Sequence, residues 1–443
     1  MHQSTNIFKL SLLAMYSTPI WHPCSQMKDY ESFTPLSIQS ASKSYLTLQT
    51  GEKLIDAISS WWCKSLGHNH PKIKQAIITQ LDSLEHTILA NTTNQIIEAL
   101  TESLCDITKM DKVLFASDGS CAVEIAMKMS IQARVIRGQS DKCKFIALQN
   151  AYHGETAATL SVSDLGLYKN AYQSLLFDCE YIPDIPYVTG EGDPLWHDAE
   201  KEWLQAQSFL NQHRQMLNAI IIEPIVQGAG GMLVYSQDFI KRLGLWCKEN
   251  DVYLIADEIM TGIGRTGKML ALEHADIQAD FICLSKGLTS GVLPLSVTLT
   301  HESIYEIFYD DYETYKAFMH SHTHSGNTLA SACALSVLEI FQKENTLEYV
   351  QQTLHPTMLQ NMHDISHNTK LLHNIRSIGG IIAADIKSPK FTRSGYRVFQ
   401  QAVKLGALLR PLGNTIYWMP PLNTEVHTLN ELAKITEKAL LAY

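Results

Sequence analysis

No apolar run in this 443-residue chain approaches the roughly 18–20 residues that span a bilayer, so no membrane partner is expected. Cysteines at metal or redox spacing are missing as well. The nine present (Cys24, Cys63, Cys105, Cys121, Cys143, Cys179, Cys247, Cys283 and Cys333) are odd in number and form no CxxC. That scatter suits free, mostly buried thiols in a reducing cytosol and excludes a disulfide scaffold. Basic residues are in deficit, 35 Lys and Arg against 45 Asp and Glu, and the net charge of −10 argues against a nucleic-acid partner. No repeat, low-complexity tract or linker stands out. The only leader-like stretch, IFKLSLLAM, has one lysine before a short apolar core and no clear small-residue cleavage site, so it reads as a non-signal, with Met15 an alternative start. Hydrophobic residues at 45% and charged residues at 18% describe a globular protein, and the length calls for one large domain plus a smaller one.

What recurs instead is a short apolar run that ends in polar residues. KVLFASDGS ends in Asp118-Gly119-Ser120, KFIALQNAYHG runs into Tyr152, NAIIIEPIVQG reaches Glu223, VYLIADE reaches Asp257 and DFICLSKG reaches Lys286. Helical spacing lies between them: Ala122, Ile125, Ala126 and Met129 share one face, as do Phe239, Leu243 and Trp246. Strands alternating with helices predict an α/β fold with a mostly parallel sheet covered on both faces. Ligands of such sheets bind beyond the carboxyl ends of the strands, where every one of these polar clusters falls. Residues 30–58 read as short antiparallel strands with a Thr-Gly turn. From about Leu335 a helix, the strand-like GGIIAADI, a second helix and LLRPLGNTIYWMPPL follow. Residues 1–60 and 336–443 are therefore expected to form one small α+β domain, and residues 61–335 the large one.

A lysine at a strand end is ordinarily a surface lysine. Lys286 has different company: a carboxylate, Asp257, ending a neighbouring run, a Gly-Ser helix start and a Tyr-His-Gly turn on the same sheet edge. These are the parts that pyridoxal phosphate requires. Its aldehyde needs an amine, its pyridine nitrogen a carboxylate that keeps it protonated, its phosphate helix N-terminal amides, and its ring an aromatic face.

With these residues the chain resembles the class III (ω-type) aminotransferases of the fold-type I pyridoxal-phosphate enzymes. The matching segments cover nearly the whole chain: WHPCSQM, AISSWWCKSLGHNHP, DGSCAVEIAMKM, NAYHGET, IIEPIVQGAGGM, LIADEIMTGIGRTGK, CLSKGLTSG, FMHSHTHSGN and LLRPLGNTIYWMPP. Within the family, the WHP, SSWW, EPIVQGAGGM and RPLGNTIYWMPP segments are similar to those of the enzymes that convert 8-amino-7-oxononanoate to 7,8-diaminononanoate in biotin synthesis. The resemblance implies adenosylmethionine as amino donor, a ping-pong mechanism and a cytoplasmic homodimer.

The resemblance also implies roles. Lys286 would hold the cofactor and move the substrate proton, Asp257 would pair with the pyridinium, and Tyr152 would stack on the ring and border the substrate. Gly119 and Ser120 would bind the phosphate; an ordinary N-cap is the structural alternative, and the two are compatible. Trp61 would line the substrate pocket, with Trp62 its neighbour; a place in the core is the structural alternative for the pair. Arg410 would clamp the acceptor carboxylate, where a surface ion pair is the alternative. Glu258, adjacent to Asp257 on the strand, is expected to face the other way as a support, while Glu223 and Arg265 keep open roles.

In HSHTHSGN the alternating His320, His322 and His324 would share a face if extended, as metal ligands do, but no acid or cysteine sits in register, so no metal is expected. The resemblance instead sends Ser321, His322 and Thr323 to the partner subunit's site, as substrate, phosphate and cofactor contacts. The family usually has Gly-Pro-Thr here. Cys24 stands where a tyrosine is usual and Glu155 where an aspartate is; both border the donor pocket, whereas the acceptor marker Arg410 is intact. Rival readings are another ω-aminotransferase acting on diamines, ornithine-like substrates or amino acids, and a cofactor-binding protein without turnover.

Overall fold

The computed structural model describes residues 19–387 and 389–443; the leader-like stretch and Met15 lie outside them. Three strands open the described chain, β1 (Ile38–Ser42), β2 (Tyr45–Leu48) and β3 (Lys53–Asp56). They form the antiparallel meander expected for residues 30–58, with Gly51 at φ 91 in the turn. The large domain then contributes β4 (Lys112–Ala116), β5 (Lys144–Leu148), β6 (Glu180–Ile182), β7 (Leu217–Ile222), β8 (Val226–Gln227), β9 (Leu233–Val234), β10 (Tyr253–Asp257), β11 (Phe281–Leu284) and β12 (Ser296–Thr300). All but the β8–β9 pair join one seven-stranded sheet in the order β4-β12-β11-β10-β7-β5-β6. β6, β5, β7, β10 and β11 run parallel in this order, and β12 alone is antiparallel to both its neighbours.

Every residue of β7, β10 and β11 is buried, which accounts for their unbroken apolar runs: parallel strands covered on both faces leave no polar side. The helix Gly119–Ile136 packs on β11 and β12 and buries Ala122, Ile125 and Ala126 as spaced, with Met129 partly buried against the core. It buries Val123, Met127 and Ala133 too, because the helix Glu302–Phe308 covers another of its sides. On the helix Gln237–Glu249, Phe239, Leu243 and Trp246 are all buried, and Ser236 caps its start by accepting from the Phe239 amide at 3.3 Å. The helix Thr328–Lys343 packs on Pro71–Leu81 and Gln95–Thr108, so residue 335 falls inside a helix that rests on the large domain. No helix among the described residues is long and apolar enough to cross a membrane.

The smaller domain joins chain segments far apart in sequence. β13 (Leu372–Ile378), β14 (Ile381–Ile386) and β16 (Thr415–Trp418) form an antiparallel sheet, while β15 (Ala407–Leu408) pairs in parallel with β3 of the N-terminal meander. Two buried guanidinium groups tie the domains together. Arg265 Nη1 donates to the Gly380 and Pro420 carbonyls at 3.2 and 2.8 Å, and Arg376 donates to the Gly231 and Met232 carbonyls at 2.6 and 2.9 Å. Arg265, left open by the sequence, is thus an interdomain strut. The thiols depart from expectation: only Cys247, Cys283 and Cys333 are buried, and Cys24 and Cys143 are exposed, because a free cysteine is small enough to sit at partly covered positions.

At the same seam, Gly379 adopts φ +51, and a Cβ there would overlap the Thr266 backbone and the Gly267 nitrogen. Gly379→Ala should cost about 1–3 kcal/mol by overpacking. Differential scanning calorimetry should show a transition several degrees lower.

Candidate active site

Five strand ends open on one cavity of about 550 Å³. After β4 come Asp118, Gly119 and Ser120; after β5, residues 152–155; after β7, Glu223; β10 ends in Asp257; and after β11 comes Lys286. Because β12 is antiparallel, its amino end closes the same edge with residues 291–295. The parallel register pairs Asp257 with Cys283, which sets Lys286 just beyond it on the neighbouring strand. Lys286, Asp257, Tyr152, Gly119 and Ser120 are therefore brought together.

Lys286 sits at φ 33, a left-handed backbone unusual for a lysine, with Nζ 5.0 Å from the centre of the Trp62 ring. Burial lowers its pKa below the ordinary lysine value, and the carboxylates of Asp257 and Glu223 oppose that shift. Asp257 Oδ2 is bonded to His153 Nδ1 at 2.8 Å, with both side chains buried. The other ring nitrogen of His153 has no hydrogen-bond partner among the described residues. His153 was not singled out in the sequence; adjacency to Tyr152 was the only signal, and only the packed sheet brings it to Asp257.

Glu223 accepts from the Tyr152 and Gly228 amides, both at 2.9 Å, and so holds the loop after β5 against the loop after β7. Burial pushes Glu223 up to about 7, further raised by Asp257 and opposed by His153. Glu258 lies outside the cavity, as its alternation with Asp257 predicts, and accepts from the Ala271 and Leu272 amides and the Thr261 hydroxyl.

At the margin, Tyr152 donates to Glu155 Oε1 at 3.0 Å, and burial together with that carboxylate pushes its phenol pKa up. The Cys24 thiol lies 3.9 Å from the same oxygen, and the Cys24 carbonyl accepts from Arg410 at 3.5 Å. Arg410 in turn lies over Trp61, its guanidinium carbon 4.0 Å from the ring centre. Cys24, Trp61 and Arg410 thus cluster beside Tyr152, although the cavity wall itself is Trp62 and not Trp61, which is 41% exposed. Trp62 is both core and wall: 6% exposed, with its indole N–H on the Tyr417 hydroxyl at 2.9 Å. Both tryptophans ride on a strained turn, Ser59–Trp62, where Ser59, Ser60 and Trp62 have φ of 50, 60 and 66. Each left-handed residue that is not glycine costs roughly 1–2 kcal/mol.

Ser321, His322 and Thr323 are not brought to this cavity. The segment is a turn, not a strand, so the three histidines do not line one face. His320 and His322 meet at 3.1 Å beside Lys128, while His324 packs on His86.

Residues 26–440 match the family model of the class III aminotransferases, and the chain belongs to that family. It is 40% identical over 426 residues to an adenosylmethionine-8-amino-7-oxononanoate aminotransferase of Helicobacter pylori, covering 94% of each chain. Its structure superposes on the enzyme of that name from Methanocaldococcus jannaschii with a TM-score of 0.87 at 32% identity, over 99% of each chain. An amine transaminase from an uncultivated Pseudomonas species is as similar in structure, with a TM-score of 0.88 at 30% identity, over 96% of this chain and 99% of that one. The protein is a pyridoxal-phosphate-dependent aminotransferase with amine and keto substrates. The cavity fits that cofactor: an amine on its wall, a buried acid, and a helix start so tightly cradled that a Cβ on Gly154 would overlap Ser120.

Burial pushes Glu258 from 4.5 to about 7, against the three hydrogen bonds it accepts. Its contribution to stability is full below pH 4.5 and lost as the pH rises through about 7. Glu258→Gln should abolish that slope in Tm-against-pH profiles. It should also lower Tm at every pH, because the amide nitrogen cannot accept from an N–H.

Proposed function

We propose that this aminotransferase moves an amino group from a donor amine to the 7-keto group of 8-amino-7-oxononanoate, giving 7,8-diaminononanoate. One observation carries the reading: the Arg410 guanidinium lies over Trp61, beside the cavity that Lys286 faces. A planar cation held at that margin suits the distal carboxylate of an extended keto acid. The names of the Helicobacter and Methanocaldococcus relatives support the same substrate and name adenosylmethionine.

Bound pyridoxal phosphate supplies an aldehyde that an amine can bond and a ring that withdraws electrons. Gly119 and Ser120, at the start of an 18-residue helix, would hold its phosphate through backbone N–H groups. Tyr152 would cover its ring and Asp257 would keep the ring nitrogen positive, with His153 fixing the direction of that carboxylate. The lowered pKa of Lys286 would favour the neutral amine that holds the cofactor and that can take and return the proton at the substrate carbon. Both substrates use one cavity in turn, so initial-rate lines should run parallel.

Cys24 in place of the usual tyrosine favours a second reading, a wider donor range within the same class. We further propose that residues 1–60 and 336–443 act as one small domain around residues 61–335. We also propose a homodimer, in which the exposed Thr323, with Ser321 and His322, reaches the partner's cavity.

Purified enzyme given 8-amino-7-oxononanoate with adenosylmethionine, lysine or simple amines should form 7,8-diaminononanoate, seen by mass spectrometry; no product with any donor overturns the substrate. Arg410→Ala should raise KM for the keto acid about 10–100-fold, as loss of a charged hydrogen bond does, and spare donors without a carboxylate. Light scattering should give twice the 49.7 kDa chain mass; a monomer active at all dilutions contradicts the shared site.

A further inference from the structure

We propose that the buried Asp56–His68 pair is the positioning device for the substrate side of the cavity, holding Trp61 and Trp62 where they meet Arg410 and Lys286. The inference rests on the reading above that Arg410 faces the acceptor carboxylate. Neither residue lines the cavity.

Asp56, at the end of β3, is wholly buried, and its carboxylate spends its lone pairs on the strained turn. It accepts from the Ser60 amide at 2.9 and 2.8 Å, the Ser60 hydroxyl at 3.2 Å and the Ile58 amide at 3.3 Å. The remaining contact of Oδ2 is His68 Nε2 at 2.7 Å. His68 is itself anchored outside the cavity, its amide donating to Lys43 O at 2.7 Å and its carbonyl accepting from Lys43 at 3.0 Å. Gly67 permits that approach, since a Cβ there would meet Lys43 O at 2.8 Å.

A backbone with three left-handed residues in four, none glycine, relaxes unless it is held, and Asp56 captures the Ser60 amide within the turn and the Ile58 amide just before it. The turn's outputs are the two indoles, one 5.0 Å from Lys286 Nζ and the other 4.0 Å beneath Arg410. His68 fixes the carboxylate, the carboxylate fixes the turn, and the turn sets the spacing between the amine and the guanidinium that an extended substrate must bridge.

The test uses holoenzyme with His68→Ala, Asp56→Asn and His68→Gln. The first two should raise KM for the keto-acid acceptor about tenfold, with kcat changed less than about threefold and cofactor absorbance retained. His68→Gln keeps an N–H for Oδ2 and should stay within about twofold of wild type, a rescue expected only if that contact matters. In a Trp61→Ala background, His68→Ala should add nothing further to KM. The pair is refuted if Arg410→Ala raises KM and His68→Ala does not, or if both substitutions at Asp56 and His68 lower kcat in step with lost cofactor. If Arg410→Ala leaves KM unchanged, the acceptor reading fails instead. The clamp is then judged on a small primary amine that needs the Trp62 wall alone, for which an unchanged kcat/KM in His68→Ala overturns it.

Discussion

The hydrogen-bonded register between β10 and β11 is the constraint on which the site depends. Pairing Asp257 with Cys283 leaves Lys286 two residues past the end of the adjacent strand, so an acid and an amine share one cavity without touching in sequence. Isolated, either charge would be expensive to bury. Together, and with His153 on Asp257, each offsets part of the other's desolvation, and the amine keeps a pKa lower than a surface lysine's. A slip of the register by one residue would turn Asp257 into the sheet face and Glu258 into the cavity.

Around that centre the molecule spends its buried polar groups on holding loops. Glu223 fastens the backbone of Tyr152, Glu258 the turn around Ala271, and Asp56 the turn that carries both tryptophans. Arg265 and Arg376 then fix the small domain to the loops behind these residues, so the margin bearing Arg410 is rigidly related to the wall bearing Lys286. Chain segments before residue 60 and after residue 400 meet through β3 and β15, which puts Trp61 and Arg410 on one side of the cavity.

Much of this was legible beforehand where a local pattern has a single physical reading. Short continuous apolar runs read as strands covered on both faces, and their polar ends marked the crevice. Helical faces through Ala122, Ile125 and Ala126 or through Phe239, Leu243 and Trp246 were buried as spaced. What escaped was whatever two distant segments make between them. His153 gave no sign of meeting Asp257, Trp61 was expected to line the pocket where its neighbour Trp62 does, and the antiparallel direction of β12 leaves no trace in its residues.

The sequence by itself determined the α/β class, the strand ends that carry chemistry and the amine, acid and helix start that a pyridoxal cofactor requires, because periodicity and residue type are local properties. Tertiary structure alone decided which tryptophan faces Lys286 and how His153, Glu223 and Asp56 are employed. Those outcomes depend on register, on left-handed backbone trapped by buried acceptors and on packing between segments hundreds of residues apart, none of which a local pattern encodes.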